Sequence, residues 1–483
     1  MNKKSQNKNE NSSLLRENRQ RTPYGINRYL LLIIYCIFCG LTTSAIQQSI
    51  CIRFIMNKLG AYEWACNDTQ TEILPTGAKC KAQDNYITTC WTAGIMAPNI
   101  ILSVLGGGKL FDNLGPKLTG FTGQIMFMFG LLIFCISNQN FPLYPLGFIL
   151  IGLPQGPIFN SVVSISNLFP NHGNKIISIL STMGDVSAFV FYFIYHFHEF
   201  SKIRIRNILI FYSIFVCGTL ALAALFLIPN NSFEKSQSTD LIEEEDSNSE
   251  LTFNTTCSSE TVSLHDQSLI DQLKSSFFIF LLPYFTLTVF RSDSIKACLD
   301  SFLQSANNTD IDLIRSQMSI FSTLQCFSFI FSLMNGFIMD KIGVSRGMIL
   351  QNSLGIIVSS LFLFNTSHIV RVISFFIFFS YASCIYSTAY CYLVECFGFS
   401  NINFLMALTT APVGFIYIVI PIMYSKLNPS NFFYFHLFYV ISSFIMYVTP
   451  INLLINNPNE TQKTHSSNEL SSVQVDRSKA VDR

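Results

Sequence analysis

Apolar blocks of about twenty residues alternate with short polar connections along most of this chain. About twenty apolar residues in helical form cross a hydrocarbon core of roughly 30 Å. By that rule the pattern predicts twelve crossing helices, at 27–50, 86–108, 118–137, 143–165, 174–197, 208–228, 275–296, 316–338, 347–365, 369–391, 402–422 and 432–453. Six lie on each side of a long polar middle. The blocks 174–197 and 275–296 depart most from the rule, because each contains charge. The fold class expected is an all-α membrane protein with two pseudo-symmetric six-helix bundles. Its divisions are an N-tail 1–26, a bundle 27–228, an acidic linker 229–274, a bundle 275–453 and a C-tail 454–483. The first 28 residues are polar, with no small-residue cleavage site after a short apolar core, so no signal peptide is expected.

Charge sharpens this picture. Only 12% of the 483 residues are charged, about half of the roughly 25% usual for soluble domains. Of the 59 charged residues, 29 sit in 1–28, 229–274 and 454–483. An ionised side chain costs a few kcal/mol at the bilayer centre, so charge-poor stretches of this length suit crossing helices. Composition argues against a disordered chain, a collagen-like chain and an ordinary soluble enzyme. The net charge of +1 supplies no basic field for nucleic acid. Residues 1–28 carry seven Lys/Arg against two Glu, which by the positive-inside rule places the N-tail in the cytoplasm. Both termini are then cytoplasmic, and the membrane is the plasma membrane or an internal vacuolar or endolysosomal one. Lys202, Arg204 and Arg206 fall outside in that topology and do not follow the rule. The linker holds two Lys against ten Asp/Glu, including Glu243-Glu244-Glu245-Asp246. It reads as a solvated linker, with a partner site as the other option.

Most of the fourteen cysteines fall in apolar blocks, where Cys acts as a small hydrophobe. Cys66 and Cys80 lie instead in the long first loop, facing outside, where they can pair or stay reduced. No cysteine or histidine grouping suggests a metal, and no cofactor is expected. HExxH, P-loop and Gly-x-Ser-x-Gly patterns are lacking, so the chain is not read as an enzyme. Asn67-Asp68-Thr69, Asn307-Asn308-Thr309 and Asn365-Thr366-Ser367 have glycosylation spacing, and Glu10 to Leu15 has the shape of an acidic dileucine signal. Chance matches explain such short patterns equally well.

An internal repeat is the most specific feature. Gly108-Lys-Leu-Phe-Asp112-Asn113-Leu-Gly115-Pro116-Lys117 follows the second block. Gly336-Phe-Ile-Met-Asp340-Lys341-Ile-Gly343-Val-Ser-Arg346 follows the eighth. Gly, Asp and Gly recur at one offset of 228 residues, and a base closes each stretch. Asn167-Leu-Phe169-Pro170 and Glu395-Cys-Phe397-Gly398 recur at the same offset. Glycine permits tight turns and close helix approach. The aspartate can cap the next helix or pair with the nearby base. Gly108, Asp112, Gly115, Lys117, Gly336, Asp340, Lys341, Gly343 and Arg346 are therefore candidates for a conformational latch, or for plain interhelix turns.

The repeated stretch resembles the signature loop of the major facilitator superfamily, Gly-x-x-x-Asp-[Arg/Lys]-x-Gly-x-[Arg/Lys]. Asn113 and Pro116 depart from it, which weakens charge pairing in the first copy. Tyr62-Glu-Trp-Ala-Cys66, Cys80-x-x-Gln83, Gly106-Gly107-Gly108, Asn167 to Pro170 and Phe290-Arg291 are similar to the large neutral amino acid transporter branch. They are equally similar to its apicomplexan amino acid transporter relatives. The resemblance implies a monomeric, multi-pass carrier of amino acids, a facilitator or exchanger independent of sodium, working by alternating access with a site between its halves.

A zwitterionic substrate needs groups for both its ends. Thr43, Gln47 and Gln48 in the first block can line a cavity or bond helix to helix. In the fourth, Gln155 and Asn160 stand beside Pro154 and Pro157, which predict a kinked or opened helix; Pro412, Gly414 and Pro421 do the same in the eleventh. Asp185 sits mid-block in the fifth, where it can take a substrate ammonium, carry a proton or pair structurally. Arg291 in the seventh can hold a carboxylate, snorkel outward or pair with Asp293. Ser383, Ser387 and Tyr390 in the tenth share one helical face, with Tyr386 beside them, and line a site or pack. The competing readings are a proton-coupled carrier of a sugar or organic ion using Asp185, and a non-transporting receptor or scaffold working through 229–274.

Overall fold

The computed structural model describes residues 22–67, 73–104, 108–169, 173–233, 268–305, 310–363, 367–398, 401–426 and 431–456. Nearly all of both tails, most of the acidic linker, the triplet 307–309, parts of the other two glycosylation triplets and the dileucine stretch lie outside these residues. So do the side chains of Asp112, Asn113 and Asp340.

Among the described residues the secondary structure is helical. Ten helices are long and apolar enough to cross a membrane, and the bent pair Ile311–Cys326 and Phe329–Met339 makes an eleventh crossing. Lys81–Val104 stands in the place of the second expected block, packed on Tyr144–Gly152 and Ile402–Ile416. Together these occupy all twelve expected positions.

Several expected blocks are longer or more interrupted than their hydropathy indicates. The first stops at Thr42, passes through a short turn at Ala45–Gln47 and resumes as Ser49–Lys58. The seventh runs from Ser276 to Ser305, nine residues past its apolar boundary. Charged residues end an apolar block in hydropathy, but they do not end a helix when buried partners satisfy them.

The breaks repeat between the two halves. The fourth crossing is interrupted at Leu153–Pro154 and the tenth at Ser383–Cys384, 230 residues on; the fifth at Ser187–Ala188 and the eleventh at Tyr417–Ile418, again 230 on. A proline removes the amide that would bond the carbonyl four residues earlier. Pro157 follows Leu153 by four, and Pro421 follows Tyr417 by four, so these two breaks sit where a carbonyl is freed. Pro412, expected to kink the eleventh crossing, lies inside the continuous helix Ile402–Ile416. The break at Ser383–Cys384 also divides the hydroxyl face expected in the tenth. Ser383 belongs to the end of His368–Ala382, whereas Ser387 and Tyr390 belong to Ile385–Phe397.

The repeated glycine turn takes the same backbone form twice. Gly115 has φ 75° and ψ 158°, and Gly343 has φ 87° and ψ 160°. Side chains are strained in this region, which explains why both copies keep glycine there. In the second repeat Gly398 ends its helix at φ 71°; its counterpart Pro170 lies outside the described residues.

Buried apolar residues form three clusters. One lies toward the loop that carries the Cys66–Cys80 disulfide and mixes both halves, joining Ile50, Phe54 and Trp91 to Phe290, Phe302 and Tyr417. The other two lie toward the tails and are confined to one half each. The first holds Leu31, Tyr35, Leu180 and Phe233; the other holds Phe278, Met348, Tyr392 and Leu453. The halves thus share a core at the disulfide end and keep separate cores at the tail end.

Candidate functional site

The polar groups of both halves converge midway between these ends. In the first crossing the helix is interrupted from Thr43 to Gln48, beside the fifth. The Ser44 amide donates to Ser187 Oγ at 2.8 Å, and Gly184 brings the fifth crossing close to it, so that a Cβ there would stand 3.5 Å from Ser44 Oγ and 3.9 Å from Thr43 Cγ2. Thr43 is buried, and its hydroxyl lies against the Cys39 thiol one helical turn earlier. An interrupted helix at membrane depth is tolerated where protein or a water-filled cavity meets its backbone groups.

Asp185 sits next to this segment, near the break in its own crossing. It faces Ser332 of the eighth crossing and lies in the field of Lys296 of the seventh. Lys296 and Asp293 form a buried pair, Nζ to Oδ1 at 3.0 Å, one helical turn apart. The Tyr417 hydroxyl, at the break of the eleventh crossing, donates to the other Asp293 oxygen. Tyr386 is 39% exposed and sets its ring edge-on to Phe285, and Tyr390 is half-buried. Gln155 and Asn160 are half-buried in the fourth crossing, on the far side of its break.

Arg291 does not pair with Asp293 and does not snorkel. It is 1% exposed inside the second half. Its Nε donates to the Tyr381 hydroxyl at 2.9 Å and Nη1 to Ser443 Oγ at 2.6 Å. The guanidinium lies 4.5 Å from the Tyr381 ring centroid and fills the space where a Cβ on residue 355 would stand. The helical turn explains the choice: Lys296 is one turn from Asp293 on the same face, whereas Arg291, two residues away, points elsewhere.

The Gln48 side chain and the Gln47 backbone carbonyl bond to the other half, and the Gln47 side chain is half-buried. Gln48 Nε2 donates to the Ser322 carbonyl at 3.1 Å, and Gln325 Nε2 donates to the Gln47 carbonyl at 2.7 Å. Ser387 accepts from Asn335 Nδ2 at 3.0 Å. Among the signature bases, Lys341 and Arg346 are exposed and Lys117 is half-exposed.

A second polar cluster was not singled out by sequence reasoning. Arg53, Asp84, Asp300 and Tyr424 meet at the disulfide end, each 5% exposed or less. Arg53 Nε donates to Asp84 Oδ1 at 3.2 Å and Nη2 to Asp84 Oδ2 at 2.5 Å. Its Nη1 donates to Asp300 Oδ1 at 3.1 Å and to the Ala297 carbonyl at 3.2 Å. Nη2 also donates to the Tyr424 oxygen at 2.8 Å. The available signal was position. Arg53, Asp84 and Asp300 each stand a few residues beyond the end of an apolar block, where charge looks like ordinary loop.

The loop at this end is closed by the Cys66–Cys80 disulfide, with Cα atoms 5.7 Å apart. A cavity of about 600 Å³ opens beside it, lined by Trp64, Asn67, Lys79, Tyr144 and Arg206 among others.

No family model matches the chain. It is 24% identical over 426 residues to the aromatic and large neutral amino acid transporter 5-3 of Toxoplasma gondii, covering 86% of this chain and 81% of that one. It is 24% identical over 431 residues to the amino acid transporter 6-1 of Toxoplasma gondii, covering 85% and 75%. A further 221-residue match, 29% identical, links 45% of the chain to 41% of an arginine transporter 1 of the same organism. Among solved structures it superposes on a nucleoside transporter with a TM-score of 0.57 at 13% identity, covering 88% of this chain and all of that one. The E. coli fucose:proton symporter gives 0.53 at 11% identity, covering 88% and 98%. Identity this low carries the fold alone.

Proposed function

We infer that this chain, which has the major facilitator fold, moves amino acids across a membrane by alternating access. The observation that carries the reading is the convergence of Thr43, Asp185, Lys296 and Tyr417 from both halves at one depth, in a bundle whose halves share a core at one end only. The relatives' names supply the substrate class.

The chemistry of the site fits a zwitterion. Asp185 accepts from the substrate ammonium. Lys296 gives one of its three N–H donors to Asp293, and the others meet the substrate carboxylate. The Thr43 hydroxyl, whose hydrogen-bonding neighbour among the described residues is the weakly bonding Cys39 thiol, and the interrupted first crossing complete the site. Tyr386 and Tyr390 offer aromatic faces with polar tips to the substrate side chain. Transport is facilitated or exchanged without sodium, the tails face the cytoplasm, and the disulfide loop faces outside. Asp112 and Asp340 latch the tail end in the opposite phase of the cycle.

Counter-flow in proteoliposomes against all twenty amino acids, with and without a pH gradient, tests this reading. Absence of counter-flow for every amino acid overturns it. Asp185→Asn should lower uptake by about tenfold or more, the effect of about 1.4 kcal/mol or more, while surface expression stays level. Equal loss of both would assign Asp185 a folding role.

A further inference from the structure

The cluster of Arg53, Asp84, Asp300 and Tyr424 has one hydrogen too few if both carboxylates are ionised. A guanidinium has five N–H donors and no acceptor. Here all five are used, on both Asp84 oxygens, Asp300 Oδ1, the Ala297 carbonyl and the Tyr424 oxygen. The Tyr424 oxygen also touches Asp84 Oδ2, and lies 2.7 Å from Asp300 Oδ2. A phenol has a single proton and can donate to only one of them. With both carboxylates ionised, the second contact would set two lone pairs against each other in a site closed to water. The charge balance points the same way, since one guanidinium and two carboxylates leave an unpaired negative charge.

One added proton resolves both problems. Asp84 takes Arg53 through both oxygens, the geometry of an ionised carboxylate. Asp300 therefore carries the proton, donating to Tyr424, which donates to Asp84. Tyr424 then accepts twice and donates once, and the cluster is neutral. The other ionisable groups on the surrounding helices are Cys298 beside Asp300, His436 edge-on to Phe302, Arg315 and Tyr195, with the Lys58–Glu199 pair at the surface. None of them adds a hydrogen bond to the four-residue cluster.

Arg53 and Asp84 belong to the first half, Asp300 and Tyr424 to the second. We propose that these four residues form a proton-binding site that closes the disulfide end, with the proton held on Asp300 while the halves are joined there. When the halves part, Arg53 and Asp84 leave as a neutral pair. Asp300 meets water, which solvates the charged carboxylate, and releases its proton to that side. Closing takes the proton back from the same side. The site therefore makes opening sensitive to pH at the disulfide end and moves no net proton across the membrane.

Infrared difference spectroscopy of the purified full-length protein tests the proton directly and does not depend on transport. A protonated-carboxyl band is expected in the wild type at neutral pH. It should be lost in Asp300→Asn and kept in Asp185→Asn if that residue is ionised, or reduced to a second separable band if it is not. An Asn at 300 keeps one acceptor for Arg53 and one donor for Tyr424. The pH dependence rests on the transport reading. Exchange should vary by up to about tenfold per pH unit in the wild type, and by less than about twofold in Asp300→Asn. Tyr424→Phe, which removes the bridging hydroxyl, should shift the carboxyl band and serves if Asp300→Asn does not fold. A wild type with no carboxyl band, a band that survives Asp300→Asn unchanged, or a pH profile that survives it unchanged overturns the proposal. A band lost in Asp300→Asn in a protein that exchanges no amino acid supports the proton site and refutes the transport reading alone.

Discussion

The two ends of the bundle are held together by different means. At the disulfide end one apolar cluster spans both halves. Long-range hydrogen bonds cross it from Gln48 to Ser322, from Gln325 to Gln47 and from Arg53 to Asp300. At the tail end the buried apolar clusters are confined to one half each, although Gly173–Val186 and Phe329–Ile342 still touch across the halves near Ser178 and Gly336. The repeated geometry there is local: two glycine turns at Gly115 and Gly343 with nearly the same dihedral angles. One end is closed by a core common to both halves and the other is shaped mostly within each half. A carrier in which rigid halves rock needs this division, because only contacts between halves change during the cycle.

The sharpest way to break the comparison is at Arg53. Arg53→Met removes all five donors and leaves Asp84 and Asp300 buried without their cation. Breaking a buried pair by removing one partner costs about 3–5 kcal/mol. Thermal unfolding in detergent should show the loss. A melting temperature within a degree of wild type would mean that the cluster contributes nothing to closure.

This cluster also marks where sequence reasoning stops. The twelve crossings were legible because apolar length is a local property, and the glycine turns because a repeat at one offset is visible in a single sequence. The kink in the fourth crossing was legible from Pro154 and Pro157. Arg53, Asp84 and Asp300 were not legible as a group, because 31 and 247 residues separate Arg53 from its partners. Arg291 and Asp293 show the same limit at short range: proximity in sequence suggested a pair, and helix geometry gave Asp293 to Lys296 instead. The break from Thr43 to Gln48 has no proline or glycine within it, so no residue type announced it.

A smaller effect is expected at the tail end. Gly343→Ala should cost about 1–3 kcal/mol, because φ 87° with ψ 160° is a backbone region that is essentially glycine's alone. Gly115→Ala should cost more than Gly343→Ala, since its Cβ would also come within 2.7 Å of the Asn230 carbonyl oxygen. Both losses should appear as lower melting temperatures. Equal melting temperatures for the two variants would show that the Asn230 contact relaxes freely, and an unchanged Gly343→Ala would show that the turn is not strained by a side chain.

The smallest effect tests the division most directly. Gln48→Leu removes the hydrogen bond to the Ser322 carbonyl and a weaker one to Cys326 Sγ across the disulfide end, and leaves each half intact. A hydrogen bond of this kind contributes about 0.5–1.5 kcal/mol. The Gln48 Oε1 has no partner, and its removal offsets part of that loss. The remaining destabilisation falls on the contact between halves and on neither half alone. Amide exchange should therefore quicken in Ser49–Lys58 and Ile311–Cys326, the helices that meet there, and stay unchanged in Val344–Leu363, which packs within its own half. Faster exchange spread evenly over all three helices would mean that Gln48 supports the fold as a whole, and that closure of this end is not separable from the stability of the halves.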